Sequence, residues 1–145
     1  MATKGYFKPK NPKKYRGNPT NIIYRSGWEL KLMMYLDNHK DVINWSSEEI
    51  IIHYRSPIDN KIHRYYPDFL VTKINKEGVK ETFIIEVKPK KQTKPPVKQE
   101  KLTKAYLTEV KAWGINEAKW KAALEFCKER GWSFHIFTEK ELGIK

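Results

Sequence analysis

Residues 65–91 hold two apolar runs that carry charged residues where a packed strand gains nothing from them: Asp68 in "YYPDFLV", Glu86 and Lys88 in "FIIEVK". Side chains alternate along an extended chain. In "TFIIEVK", Thr82, Ile84, Glu86 and Lys88 therefore share one face, and Phe83, Ile85 and Val87 the other. If a hairpin centred near Glu77 joins the two stretches, Asp68 stands opposite Glu86; a slip of one residue undoes that pairing. Directly opposed β-carbons lie ~4.5 to 5.5 Å apart, and two like charges at that distance repel.

Something positive has to compensate. Lys88 can supply part of it. Two converging carboxylates also suit Mg²⁺, a hard cation that takes one or two protein carboxylates and keeps its other positions for water and phosphate oxygens. The pattern is thus compatible with a metal site for phosphodiester chemistry. Taken alone, Glu-x-Lys on a strand is an ordinary solvated face, Pro67 a marker of an edge or bulge, and Asp68 a residue that bonds nearby backbone. What favours chemistry is the conjunction of all three within long apolar runs of a strongly basic chain.

The elements that must position these residues can be read from the pattern around them. "SGWELKLMMYLDNH" opens with Ser26 and Glu29 at capping-box spacing, and Trp28, Leu32, Tyr35 and Leu36 recur at helical intervals, which predicts a helix over 27–38. Strands are predicted over 48–56, 62–73 and 80–88, with "SPIDNKI" and "INKEGVK" as the intervening turns. After them "PKKQTKPPVKQEK" is a Pro- and Lys-rich loop. One helix is expected over 98–112 and another from Asn116, with Ile115 and Trp120 as a hydrophobic staple and Gly131 just past its end. "WSFHIF", 132–137, alternates as a fourth strand. This order, helix, three strands, helices, strand, makes an α/β sandwich of one mixed sheet with helices packed on it. Residues 1–20 read as a basic, flexible arm, and 21–145 as a single domain.

The chain has 145 residues, enough for a core without disulfides, and 29 Lys+Arg against 17 Asp+Glu give a net charge of +12. Such an excess points to a polyanion, nucleic acid first and an anionic membrane surface second. No apolar run approaches the ~18 residues of a membrane span, and the N-terminus lacks the apolar segment of a signal peptide, so a soluble intracellular protein is expected. Cys127 reads as a buried, inert thiol, and His39, His53, His63 and His135 lack zinc-site spacing. Any metal would be held by oxygen.

"PD" at 67–68 followed by "EVK" at 86–88 resembles the PD-(D/E)xK nuclease motif, and the element order is similar to that superfamily's core. The longer wording of "GYFKPKNPKKYRGNPTNIIYRSGWELKLMMYLD", "SPIDNKIHRYYPDFLV" and "IIEVKPKKQT" resembles the head-completion nucleases of large contractile-tailed phages over nearly the whole chain. More distantly it is similar to endonuclease subunits of heteromeric transposases. The resemblance implies a restriction-endonuclease-like core, a mixed central sheet flanked by helices. It also implies Mg²⁺, with Mn²⁺ as a substitute, bound by Asp68, Glu86 and the carbonyl of Val87. Lys88 would orient or deprotonate the attacking water. Glu29 matches an acidic residue that many members place beside the metal, although the capping box already accounts for a glutamate there. The implied activity is a metal-dependent DNA endonuclease acting in head completion or on packaged DNA. Implied partners are DNA and phage head or portal proteins, with no membrane, in the cytoplasm of the infected bacterial host or in the virion.

Contacts to DNA fall to charge. Lys90, Lys91, Lys94 and Lys98 follow directly after the carboxylates, while Lys13, Lys14 and Arg16 lie in the arm. Such residues neutralise phosphates without reading sequence. Tyr6, Phe7 and Tyr15 either stack on exposed bases or pack the arm onto the body. Two other functions compete: a non-catalytic DNA-binding virion assembly protein, and a transposase- or resolvase-type endonuclease subunit.

Overall fold

In the computed structural model, which describes residues 4–144, the N-terminal segment is folded onto the body. β1 (Gly5–Phe7) pairs antiparallel with β2 (Ile22–Tyr24), and a 3₁₀ turn, Pro12–Lys14, lies between them. Helix α1 (Gly27–Asn38) has the expected bounds, and Ser26 Oγ accepts the Glu29 N–H at 3.2 Å. The returning half of the cap differs: Glu29 Oε1 accepts the N–H of Arg25, at 3.2 Å, one residue before Ser26.

The expectation of a flexible arm is corrected by Asp37. This carboxylate, 1% exposed near the end of α1, accepts the N–H groups of Lys10 (2.8 Å) and Asn11 (3.2 Å). Buried carboxylates are tolerated only when so partnered. Tyr15 is buried against Trp45, and its hydroxyl is within hydrogen-bond reach of both the N–H (3.2 Å) and the carbonyl (3.3 Å) of Ser47. We expect Asp37→Ala to lower stability by about 3 kcal/mol, because two amides lose a charged acceptor. Urea denaturation measures the loss. Trypsin should then cut near Lys13 in the native protein, and a variant as resistant as the parent would contradict the anchor.

The central sheet has four strands in the order β3 (Val42–Ser47), β6 (Phe69–Ile74), β7 (Lys80–Val87), β8 (Ser133–Phe137). The first three are antiparallel, and β8 joins β7 in parallel. A parallel neighbour requires a long crossover, here α2 (Lys104–Arg130). Both faces of the sheet are covered, which is why β6 and β7 read as apolar runs. On one face Phe69, Val71 and Ile85 meet Leu32, Met33 and Leu36 of α1; on the other Ile84 meets Trp120, Ala123 and Cys127 of α2. Cys127 is buried, as its pattern suggested. No helix among the described residues is long and apolar enough to cross a membrane.

Three elements differ from expectation. The strand predicted over 48–56 is shorter and lies outside the sheet: β4 (Ile52–Arg55) forms a separate hairpin with β5 (Ile62–Tyr65). Its place in the sheet is taken by β3, whose polar Asn44, Ser46 and Ser47 hid it. Glu48, at φ 54, turns the chain out of the sheet between them. The strand predicted over 62–73 breaks between β5 and β6 at Tyr66, Pro67 and Asp68, where proline has no N–H for a ladder.

The two helices expected over 98–112 and from Asn116 are one. Thr103 caps it by accepting the N–H of Tyr106 at 3.1 Å, and Asn116 lies in its interior. Its end is as expected, with Gly131 left-handed at φ 70. Gly114 is an interior helix residue, where glycine costs about 1 kcal/mol relative to alanine. A β-carbon there would meet Pro57 Cγ at 3.6 Å, an ordinary contact. We therefore expect Gly114→Ala to raise Tm by about 2 to 4 °C, read by calorimetry; an unchanged or lower Tm would show that the helix needs the glycine.

Candidate active site

The site is built where β6 and β7 stop pairing. Their register runs from Ile74 opposite Lys80 to Phe69 opposite Ile85, the one expected from a turn near Glu77. Continued by one residue, it sets Asp68 opposite Glu86, and by one more, Pro67 opposite Val87. Proline cannot donate to the ladder, and the chain leaves the sheet there. The Val87 N–H is taken instead by Asp68 Oδ2, at 2.8 Å. In an antiparallel strand a residue's N–H and C=O point the same way. The Val87 carbonyl thus turns toward the Asp68 side, facing a proline with nothing to donate. The Asp68 carbonyl accepts the N–H of Glu48 at 3.2 Å, which fixes the residue from its other end.

Glu86 is buried, 6% exposed, and its Oε1 accepts the Tyr65 hydroxyl at 2.6 Å. With Asp68 Oδ2 on Val87 and Glu86 Oε1 on Tyr65, Asp68 Oδ1 and Glu86 Oε2 have no hydrogen-bond partner among the described residues. Burial pushes the Asp68 carboxyl well above its ordinary range. The charge of Glu86 adds to the rise, while the Val87 N–H and Lys88 oppose it. Glu86 is also raised by burial, against the Tyr65 hydroxyl and the charges of Lys88 and Lys119. The pair is therefore short of positive charge.

Lys88 is half-buried just past the end of β7, with its main-chain N–H on the Phe137 carbonyl at 3.0 Å. Its charge acts on both carboxylates. Glu29 is half-buried at the start of α1. Burial raises its pKa, the Arg25 N–H lowers it, and the charges of Glu48 and Glu86 raise it again. Glu29 belongs to the same electrostatic cluster, but among the described residues no three Asp, Glu, His or Cys side chains converge as an ion cage.

Three contributors escaped the sequence reading. Tyr65, three residues before Asp68, looked like part of the apolar strand. Lys119, which nothing in the sequence pattern singled out, has its ammonium 5.4 Å from the Tyr65 ring centre and 5.9 Å from that of Tyr54. Arg25 grips Glu48 with two hydrogen bonds, 2.9 and 3.1 Å, and its charge reaches Glu29 and Asp68. Only a helical projection of α2 against the strands could have flagged Lys119.

The basic residues divide. Lys90 and Lys91 lie in a 3₁₀ turn (Lys90–Thr93) directly after Lys88, and they, Lys94 and Lys98 are exposed. Lys13 and Arg16 are exposed as well. Arg16 donates its N–H to the Trp45 carbonyl in β3, at 2.8 Å. Lys14 is committed elsewhere: its ammonium donates to the carbonyls of Asp37 (3.1 Å) and His39 (2.8 Å), satisfying the end of α1. That end lies ~12 Å along the helix axis from Glu29. Phe7 and Tyr15 pack on Trp45, leaving Tyr6 exposed. An apolar cleft of about 450 Å³ between α1 and the sheet includes none of Glu29, Asp68, Glu86 and Lys88.

A half-buried carboxylate just before β6, a buried one opposite it on β7, a lysine two residues beyond the second, and a mixed sheet between two helices define an α/β domain of the PD-(D/E)xK kind. The chain belongs to the TnsA-like endonuclease N-terminal family, whose model matches residues 39–139. It is also 41% identical, over 152 residues, to a protein of Enterobacteria phage T4 named head completion nuclease, an alignment that covers 100% of this chain and 99% of the relative. The resemblance read from the motifs is thereby borne out. The family match takes in Asp68, Glu86 and Lys88 but ends short of Glu29.

Proposed function

We propose that this chain is a Mg²⁺-dependent DNA endonuclease whose reacting phosphate is held at Asp68, Glu86, Val87 and Lys88. The observation that carries the reading is a pair of opposed carboxylates, Glu86 buried and Asp68 half-buried, that desolvation leaves short of positive charge, each with one oxygen unpartnered among the described residues. Asp68 Oδ1, Glu86 Oε2 and the Val87 carbonyl form an all-oxygen donor set. That set fits a hard ion such as Mg²⁺, or Mn²⁺ in its place, and does not suit zinc. When bound, such an ion polarises the phosphate and lowers the pKa of a coordinated water.

The chain's own residues do the rest. Tyr65 holds Glu86 by one oxygen and so directs the other outward; the Val87 N–H does the same for Asp68. Lys88 orients the attacking water and carries positive charge toward the phosphate. The expected products are a 5′-phosphate and a 3′-hydroxyl. Lys90, Lys91, Lys94 and Lys98 neutralise flanking phosphates, so affinity should fall steeply with salt. Glu29 tunes the cluster from α1.

The name of the phage T4 relative supports a role in head completion; we infer that the chain acts on packaged DNA, in the infected host or the virion, with head or portal proteins as partners. The test is nicking of supercoiled plasmid by purified protein. Nicking should require Mg²⁺ and stop with EDTA. A protein that binds plasmid but never nicks it with Mg²⁺ or Mn²⁺ would instead be a DNA-binding assembly protein, and one that cuts only four-way junctions would be a resolvase-type subunit.

A further inference from the structure

A second cleft, of about 480 Å³, lies between the segment that follows the 3₁₀ turn and the exposed side of α2. That volume is within the range of small-ligand sites, roughly 300 to 1,000 Å³. Its walls include Lys91, Lys94, Pro95, Glu109, Trp113 and Asn116. Trp120 crosses Trp113 at 80° instead of stacking on it. Val97, in the same wall, is 83% exposed, and Leu102 beyond it is 70% exposed. An indole, proline rings, an amide, a carboxylate and two lysines thus line the concavity. The cleft begins just after Lys88 in the chain.

Bases within a duplex are stacked on one another, whereas an unpaired base offers its π-face to an aromatic platform. Lysines beside such a platform neutralise the flanking phosphates. The Asn116 amide and the Glu109 carboxylate supply donors and an acceptor for a base edge. We propose that this cleft binds an unpaired nucleotide of single-stranded DNA, stacked on Trp113 with Lys91 and Lys94 on its phosphates. The preferred substrate is then a duplex with a frayed or single-stranded end. This rests on the nuclease reading above and names the class of DNA that the site receives.

The test uses the full chain in EDTA, where nothing is cut, with a labelled oligothymidylate of about ten nucleotides and a blunt duplex as probes for anisotropy. Two variants are compared with the parent. Trp113→Leu removes the platform, and Ala112→Tyr fills the cleft from an exposed helix position that should not disturb folding. Oligothymidylate affinity should fall roughly tenfold in both, the worth of about one stacked base, with the duplex affinity falling less than twofold. Equal affinity for oligothymidylate in parent and variants, or an equal loss for both DNAs, overturns the proposal. If the parent nicks plasmid but the variants bind oligothymidylate as tightly as it does, the cleft is refuted and the nuclease kept. A protein that binds the strand in the cleft yet never nicks keeps the cleft and refutes the nuclease.

Discussion

Asp68→Asn protein should nick supercoiled plasmid about 10³-fold more slowly than the parent, since one ligand serves both activation and charge stabilisation. In EDTA at neutral pH it should nevertheless melt higher. The reason is the direction of the Asp68 shift. Its carboxyl titrates well above its ordinary range in the folded protein, chiefly through burial. A group raised on folding contributes stability that is fully present below its unfolded value, ~3.9 for aspartate, and is lost as pH rises through the folded value. At neutral pH the metal-free parent therefore carries the cost of burying a carboxyl poorly compensated by positive charge, and the neutral amide of asparagine removes it while still accepting the Val87 N–H. A gain on the order of 1 kcal/mol is expected. The advantage should shrink as pH is lowered into the acid range. Divalent metal should reverse the order, because binding stabilises only the parent, by ~2.7 kcal/mol at a hundredfold excess over Kd. Melting curves with and without Mg²⁺ at two pH values check all three signs. A variant less stable than the parent in EDTA at neutral pH would contradict the electrostatic account, and one that nicks at the parental rate would remove Asp68 from the site.

Lys88→Ala should lower the plateau rate by about 10² to 10³, the usual loss when a group that positions or moves a proton is removed. The metal dependence separates this from loss of binding. Lys88 lowers the pKa of both Asp68 and Glu86. Its positive charge therefore competes with a metal for the same oxygens. Without it the half-saturating Mg²⁺ concentration should stay level or fall while the plateau drops. Lys88→Arg should not restore the rate, because a planar guanidinium cannot replace a compact ammonium at a half-buried position. A rise in half-saturating Mg²⁺ with an unchanged plateau would recast Lys88 as a structural support for the carboxylates.

The centre of this site was legible because it depends on local rules. Alternation placed Glu86 and Lys88 on one face, the turn at Gly78 fixed the register, and Ser26 set the start of α1. What escaped depends on partners far along the chain. β3 was hidden by Asn44, Ser46 and Ser47, and the Ser47 main chain finds its partner in Tyr15, 32 positions away. The basic segment resembled a free arm because nothing near it in sequence announces Asp37. α2 read as two helices because Asn116, flanked by Ile115 and Trp120 at staple positions, suits a cap, and here it lies mid-helix. Tyr65 and Lys119 meet Glu86 only after β5 and α2 have docked on the sheet. Local rules thus singled out the candidate residues, and tertiary packing chose their supports.

The single helix α2 has 27 residues and is ~40 Å long, against ~26 Å for the eight-residue strand it covers. Its buried residues, Trp120, Ala123 and Cys127, all lie in the second half. The first turns, with Leu107 and Val110 exposed, contribute no fully buried residue, and the Thr103 cap holds their start. Such a stretch opens locally at much lower free energy than the core. The helix is thus held most firmly in its second half, and its first turns should open more readily, beside the lysine-rich loop. Amide exchange should be rapid from Tyr106 to Val110 and slow around Ala123, so that the two ends of one helix report two different stabilities.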